Sequence, residues 1–223
     1  MGSSSECFSR DSVFEGISTV VLADLLRGLD YFGTIVFAIS GALVAARKGM
    51  DWMGFAILAT VTGIGGGTLR DLILARPVFW VLHWEYIAIC VVSALATFYF
   101  LQYVHRRLSW LLWADAVGLA AFSVLGVQIA LASGTNPFIA IIMGMMTAAF
   151  GGLIRDVLAG EPPLLLHREI YASAALLGGV VYVVFATVLH QPVLALMLGF
   201  MVALVVRGLG IVYHWHLPAA RTS

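Results

Sequence analysis

The fold of this chain is decided by the stretch Thr62-Gly63-Ile64-Gly65-Gly66-Gly67-Thr68-Leu69-Arg70-Asp71. It lies inside an apolar run from about Trp52 to Arg76. Three consecutive glycines weaken a helix by about 1 kcal/mol each relative to alanine. An arginine and an aspartate then follow in a segment that is otherwise apolar enough to lie in lipid, which marks the stretch as a candidate functional element.

The same pattern returns 85 residues later as Ala149-Phe150-Gly151-Gly152-Leu153-Ile154-Arg155-Asp156. The same offset, without a gap, pairs further residues of equal type: Asp30 with Asp115, Gly33 with Gly118, Phe37 with Phe122, Gly41 with Gly126, Ala45 with Ala130, Thr62 with Thr147, Pro77 with Pro162, and Tyr86 with Tyr171. The chain is therefore predicted to be an internal duplication, with the glycine–Arg–Asp element at the centre of each copy.

Composition assigns the chain to the membrane class. Of its 223 residues, 61% are hydrophobic and 11% are charged, whereas soluble domains carry about 25% charged residues. The formal net charge is zero, so no basic surface for nucleic acid is expected. The two cysteines lie in unlike settings and predict neither a disulfide framework nor a metal site.

Seven apolar segments are predicted to span the membrane, at about 29–47, 52–76, 83–104, 112–132, 137–159, 168–189 and 192–214. Each is near the ~20 residues that a helix needs to cross ~30 Å of hydrocarbon. The predicted organisation is an N-terminal lead-in at 1–27, a first three-helix repeat at 28–108, a second repeat at 109–190, a seventh helix at 191–216 and a C-terminal tail at 217–223.

An odd number of helices per repeat means that the second repeat starts on the opposite side of the membrane from the first. The predicted fold is therefore an all-α integral membrane protein with an inverted 3+3 repeat plus a seventh helix. The side opposite the N-terminus carries more basic residues, namely Arg47, Lys48, Arg106, Arg107, Arg168 and Arg221, against Arg10, Arg27 and Arg76 on the N-terminal side. The positive-inside rule then predicts an outside N-terminus and a cytoplasmic C-terminus.

The glycines allow two interpretations. Gly65, Gly66 and Gly67 fall near the middle of the second helix, and Gly151 and Gly152 fall past the middle of the fifth. An unwound stretch there would free carbonyl groups for an ion path, because irregular backbone is tolerated only inside protein or along a watery cavity. Alternatively, the glycines let neighbouring helices pack closely.

Arg70, Asp71, Arg155 and Asp156 are, apart from Arg207, the ionisable residues well inside the predicted spans. Such charges face a cavity or one another, so they form either a structural ion pair or a charged gate. Adjacent helical side chains point about 100° apart. We therefore expect crossed pairs, Arg70 with Asp156 and Arg155 with Asp71.

Asp30 and Asp115 are predicted to open the first and fourth helices. There they would act as helix caps, or as carboxylates at the two mouths of a pore. The six histidines lie at span ends without metal-ligand spacing, so no metal is expected. No constellation of nucleophile, base and orienting group appears, and the chain is not expected to be an enzyme.

A doubled three-helix unit with Gly-Gly-x-x-Arg-Asp in its second helix, followed by a seventh helix, resembles the trimeric intracellular cation (TRIC) channel family in its bacterial branch. The resemblance covers roughly residues 28–210 and is carried by Gly66-Gly67-Thr68-Leu69-Arg70-Asp71 and Gly151-Gly152-Leu153-Ile154-Arg155-Asp156. It implies a homotrimer in the bacterial inner membrane, a pore in each protomer, and helices two and five kinked at the glycines. The second repeat departs from the first, because Phe150 stands where Gly65 does.

The resemblance further implies permeation by potassium or sodium, no cofactor, and membrane lipids as contacts and bound ligands. On this basis the ion path would pass Gly65, Gly66, Gly67, Gly151, Gly152, Asp30 and Asp115. The same domain also carries a glycine-transporter label, so a carrier of small, glycine-like solutes is the alternative. A membrane scaffold without transport is a third interpretation.

Overall fold

The structure is a computed structural model that describes residues 4–100, 107–166 and 170–213. Every regular element within these ranges is helical, which confirms the all-α prediction. The helices are α1 (Ser4–Arg47), α2 (Trp52–Ile73), α3 (Phe79–Leu82), α4 (Glu85–Phe100), α5 (Arg107–Ala132), α6 (Pro137–Leu158), α7 (Ala172–Val183) and α8 (Pro192–Tyr213). A 3₁₀ turn at Leu164–Leu166 and a π-helical turn at Val184–Val188 complete the set. The predicted C-terminal tail and the basic residues Arg106, Arg168 and Arg221 lie outside the described residues.

Five of the described helices are long and apolar enough to cross a membrane: Leu22–Arg47 within α1, Trp52–Ile73, Ser109–Ala132, Pro137–Leu158 and Pro192–Tyr213. Two shorter apolar helices, Glu85–Phe100 and Ala172–Val188, correspond to the third and sixth of the seven predicted spans. The count of seven spans and the inversion of the repeats stay predictions.

The outer surface of the bundle is apolar. Large hydrophobic side chains are widely exposed on different helices, for example Ile57 at 55%, Val92 at 65% and Met197 at 61%. The interior holds a core of mostly small and apolar side chains together with buried polar and charged groups, including Thr34, Ser40, Arg155 and Arg207. Apolar residues outside and charges inside are what a helix bundle in lipid requires.

The centre of the bundle is formed where α1, α2, α5 and α6 meet. Phe37 of α1 and Phe122 of α5, which are equivalent in the two repeats, stack on one another with ring centroids 5.3 Å apart. Gly118 lies against the Phe37 ring and Gly33 against the Phe122 ring, so the contact is reciprocal. α2 and α6 also pack directly on each other, which brings the two glycine motifs together.

Candidate functional site

The two glycine motifs lie where α2 crosses α6. A Cβ atom added to Gly66 would overlap the backbone carbonyl oxygen of Thr147. A Cβ atom added to Gly151 would lie 2.5 Å from the carbonyl oxygen of Thr62, the residue equivalent to Thr147. Only glycine allows the two backbones to approach this closely.

The helices are not unwound at the glycines. α2 is continuous from Trp52 to Ile73 and α6 from Pro137 to Leu158, so the prediction of an opened backbone is wrong for this structure. The close-packing alternative describes these positions instead. The physical reason is that a free backbone group in lipid costs several kcal/mol, whereas each glycine weakens the helix by only about 1 kcal/mol.

In the first repeat, Arg70 pairs with the aspartate that follows it. Its Nε donates to Asp71 Oδ1 over 2.9 Å, and its Nη2 lies 2.8 Å from the same oxygen. The other carboxylate oxygen, Oδ2, accepts from the backbone N–H of Phe79 over 3.0 Å. Both charged side chains are almost fully buried, so this pair is an internal feature of the bundle.

The chain turns sharply after α2 and brings Phe79 back to the pair. The Arg76 N–H donates to the Asp71 carbonyl over 2.8 Å, and Ala75 takes a left-handed φ of 52°. The same turn follows α6, where Gly160 has a φ of 63°. Asp156 Oδ2 there accepts from the Leu164 N–H over 2.9 Å, which matches the contact made by Phe79.

In the second repeat, Arg155 joins three helices. Its Nε donates to Asp156 Oδ1 and its Nη1 to Asp115 Oδ1, each over 2.8 Å. The same Nη1 also donates to the hydroxyl of Ser40 on α1. Arg155, Asp115 and Ser40 have no exposed surface, so this cluster ties α1, α5 and α6 together.

The crossed pairs predicted from the sequence are wrong. Within the described part of the chain, Arg70 forms its ion pair with Asp71, and Arg155 forms its pairs with Asp156 and Asp115. A long arginine side chain can bend along the helix so that its planar fork reaches the neighbouring carboxylate. The divergence of about 100° between adjacent positions therefore does not keep the groups apart.

The sequence predicts that Asp30 and Asp115 begin helices. Both instead lie within helices, Asp30 in α1 and Asp115 in α5. Asp30 Oδ2 accepts a hydrogen bond of 2.5 Å from the hydroxyl of Tyr86. Asp115 is instead bonded by Arg155. The helix-cap interpretation is therefore wrong, and each aspartate is part of the charged cluster of its own repeat.

Several residues of the two clusters were not assigned a role from the sequence. Tyr86 and Tyr171 were visible only as a pair of matching residues, and Phe79 and Ser40 gave no signal. Arg207 of α8 was noted as a buried charge, and its guanidinium carbon lies 5.0 Å from the centre of the Tyr171 ring. Tyr86 and Tyr171 could have been recognised from the sequence, because equal polar residues 85 positions apart among apolar neighbours indicate a shared role in the two repeats.

The described residues contain no group of three His, Cys, Asp or Glu side chains that could hold a metal ion. The chemistry of the clusters is therefore that of buried carboxylates, guanidinium groups and hydroxyl groups. Apolar helices that surround two matching charged clusters define a helical membrane protein built from a duplicated unit.

Comparisons with known proteins identify the family. The protein-family model described as "Glycine transporter" matches residues 27–102 and again residues 112–187. The two matched stretches are 85 residues apart, which is the offset of the internal repeat. The chain is 42% identical over 202 residues to a UPF0126 membrane protein of Vibrio cholerae, covering 90% of this chain and 84% of that one. It is also 42% identical over 197 residues to the UPF0126 inner membrane protein YadS of Escherichia coli K12, covering 87% and 95%.

Two solved structures are similar over nearly their whole length. The TRIC trimeric intracellular cation channel orthologue from Rhodobacter sphaeroides is 48% identical with a TM-score of 0.84, covering 86% of this chain and 99% of that one. A prokaryotic TRIC channel crystallised in 0.5 M KCl is 33% identical with a TM-score of 0.82, covering 87% and 100%. The chain therefore belongs to the TRIC channel family. Since these relatives are ion channels, the predictions of a membrane protein and of a protein that is not an enzyme are confirmed.

Proposed function

We propose that the chain is a channel for monovalent cations, with potassium as the principal ion and sodium as a second, and with one pore in each protomer. The observation that carries the proposal is the pair of matching charged clusters on the two repeats, around Arg70 and around Arg155. They are buried in helices that are otherwise apolar, where charge is costly and is kept for function. The solved relatives named as cation channels support the same function.

The carboxylates are suited to attract a cation. In the first repeat two carboxyl groups, those of Asp30 and Asp71, accompany one arginine. Arg70 is held 2.8 Å from the Asp71 carboxylate, which reduces its repulsion of a passing ion. Asp30 is only partly buried and is a suitable carboxylate for the entrance of the first half.

The proposed path passes Asp30 and Gly67 in the first repeat and Asp115 and Gly152 in the second. Gly66 and Gly151 lie between these two pairs of residues, where α2 crosses α6. Gly65 lies beside Ile154, because a Cβ atom added to Gly65 would be 3.1 Å from the Ile154 Cδ1 atom. The contact of Gly66 with Thr147 leaves no room for an ion between the two backbones. Opening of the path would therefore require α2 and α6 to separate, with the Arg–Asp pairs as the charged gate.

The proposed architecture has seven spans, inverted repeats, an outside N-terminus and a cytoplasmic C-terminus. The reciprocal contacts between equivalent residues support a two-fold relation of the repeats. The solved relative named as trimeric supports a homotrimer, and the relative named as an inner membrane protein supports that location, with lipids as neighbours. Cross-linking that stops at a dimer, or a cytoplasmic signal from an N-terminal reporter, would contradict this architecture.

A secondary transporter of a small, glycine-like solute is the second candidate. The description of the family model, which matches both repeats, is the observation that favours it. A carrier exchanges labelled solute across the membrane in a saturable way, whereas a channel passes ions without a coupled solute.

Proteoliposomes distinguish the two candidates. Protein with a potassium gradient is expected to give an ion flux that needs no added solute, and glycine counterflow is expected to be absent. Asp30→Asn is expected to reduce the flux several-fold, because it removes the entrance carboxylate. Asp51→Asn is the matched control: Asp51 caps α2 at an exposed position, and asparagine caps equally well. Saturable glycine exchange without potassium flux would contradict the channel and support the carrier.

A further inference from the structure

Polar side chains surround Gly152 of the second glycine motif. The position of a Cβ atom on Gly152 lies 3.1 Å from the Tyr171 hydroxyl, 3.2 Å from Asp115 Oδ1 and 3.5 Å from Arg155 Nη2. Three polar side chains from α5, α6 and the segment before α7 therefore converge on one glycine. Each is at most 1% exposed, so bulk water does not reach them from the surface.

These side chains hold buried polar atoms whose hydrogen bonding is incomplete. Within the described residues, Asp115 Oδ2, Arg155 Nη2 and the Tyr171 hydroxyl are buried and have no partner of hydrogen-bonding geometry. A buried polar group without a partner costs about 1–3 kcal/mol, and more when it is charged. Two of these atoms, Arg155 Nη2 and the Tyr171 hydroxyl, lie beside Gly152, and Asp115 Oδ2 belongs to the carboxylate whose Oδ1 lies there. Their convergence indicates that a further molecule takes part in the cluster.

The equivalent space in the first repeat is filled by an aromatic ring. A Cβ atom on Gly67 would lie 2.6 Å from the Phe79 ring. That ring packs edge-on against Tyr86 with centroids 4.6 Å apart, and the Arg70 guanidinium lies 5.8 Å from its centre. The residue equivalent to Phe79 in the second repeat is Leu164, whose side chain is smaller and is not among the atoms nearest to Gly152.

The chemistry of the three atoms identifies the class of molecule. A carboxylate oxygen accepts, a guanidinium N–H donates and a hydroxyl group does either. A bare cation cannot accept a hydrogen bond from the Arg155 N–H, and the Asp115 carboxylate has no hydrogen to donate to an anion. A water molecule donates to one, accepts from the other and bonds the hydroxyl, and buried waters typically make about three such bonds.

We propose that the second glycine motif binds buried water, at a site enclosed by Gly152, Asp115, Arg155 and Tyr171, whereas the Phe79 ring keeps the corresponding position at Gly67 dry. The water site itself follows from the cluster alone. Its meaning for conduction rests on the proposed function: the second half of the path is hydrated in this conformation and the first half is closed by an aromatic side chain.

X-ray radiolytic labelling tests the site without any measurement of current. Hydroxyl radicals formed from a bound water modify the side chains beside it, even when these are buried. Tyr182 is the matched control, since it is equally buried but its hydroxyl donates to Gln128. In the wild-type protein in nanodiscs, Tyr171 should be labelled several times faster than Tyr182. Equal, slow labelling of the two tyrosines would overturn the proposal.

Gly152→Ala places a methyl group where the polar atoms converge. Its Cβ contacts are 3.1–3.5 Å, which small movements of side chains can accommodate, so the variant is expected to fold. It should lower the labelling of Tyr171 to that of Tyr182, and unchanged fast labelling would put the water elsewhere and overturn the site. Labelling should also be the same in potassium chloride and choline chloride. A loss in potassium chloride alone would mean that the site takes a cation instead of water.

Should Gly152→Ala fail to fold, the comparison of Tyr171 with Tyr182 in the wild-type protein decides the question by itself. Absence of potassium flux would contradict the proposed function and leave this labelling result unaffected. The two proposals therefore fail independently of each other.

Discussion

Arginine and aspartate stand next to each other in both glycine motifs, and in both the arginine turns back to its own neighbour. The second repeat adds Asp115 and Ser40 to Arg155, whereas among the described residues the ion pair of Arg70 is with Asp71. The residues of the clusters could be predicted from the sequence, because charge inside an apolar span has few explanations. Their partners could not, because pairing depends on side-chain rotamers and on how α5 approaches α6.

Removal of Arg155 is expected to destabilise the protein more than removal of Arg70. Arg155→Met leaves Asp115 and Asp156 without their cation, and breaking such a buried pair typically costs about 3–5 kcal/mol. Arg70→Met removes the cation of one ion-paired carboxylate, that of Asp71, since Asp30 is bonded by the Tyr86 hydroxyl. Thermal unfolding of the two variants in detergent measures the difference, and an equal or larger loss for Arg70→Met would contradict the described pairing.

Ala75 is expected to be a strained position that glycine would relieve. Its φ of 52° is in the left-handed region, and the equivalent residue in the second repeat is Gly160. A left-handed conformation costs a residue with a Cβ atom roughly 1–2 kcal/mol. Ala75→Gly should therefore raise the unfolding temperature and Gly160→Ala should lower it; a fall for Ala75→Gly would show that the turn is not strained.

The helices after α1 follow the apolar pattern of the sequence closely, whereas α1 begins at Ser4 and so includes most of the segment that was predicted as a lead-in. Breaks at Gly49, Gly134 and Gly160 fall at or next to predicted boundaries, and all three glycines have positive φ. The state of α2 and α6 at the glycine motifs was not predictable in the same way, because glycine permits both an unwound segment and a close crossing. Only the tertiary contact with Thr62 and Thr147 decides between them.

Gly66 is expected to be far less tolerant of a methyl group than its neighbour Gly65. Gly66→Ala sets a Cβ atom against the Thr147 carbonyl, which belongs to a helix backbone and cannot move alone. Overpacking of this kind typically costs about 1–3 kcal/mol. Gly65→Ala meets only the end of the Ile154 side chain, at 3.1 Å.

Unfolding temperature and trimer yield on size-exclusion chromatography compare these two variants. A large loss for Gly66→Ala and a small one for Gly65→Ala are expected. Equal tolerance at both positions would mean that α2 and α6 are not held in contact at Gly66.

The whole molecule is a bundle with an apolar outside and two charged clusters inside, one in each repeat. The duplication, the membrane class and the family were accessible from the sequence, since they rest on spacing and composition. The difference between the clusters was not, because it arises from what fills the space beside Gly67 and Gly152. A ring occupies the first space and polar groups surround the second.

Exchange of the equivalent residues Phe79 and Leu164 tests whether this difference matters for transport. Phe79→Leu removes the ring beside Gly67 and is expected to raise the potassium current several-fold. Leu164→Phe, the reciprocal variant, is expected to lower the current by adding a ring near Gly152. Bilayer currents at equal protein density measure both, and an unchanged current in Phe79→Leu would mean that the crossing of α2 and α6, and not the Phe79 ring, limits the current.

Single-channel recording of the purified wild-type protein determines whether each protomer contains its own cation pore. With a potassium chloride gradient across a planar bilayer, we expect a reversal potential close to that of potassium. Unitary openings should occur in three equal steps, one for each protomer of the trimer. Chloride-selective current, a single conductance step from a shared central pore, or no current from folded trimers would contradict a cation pore in each protomer.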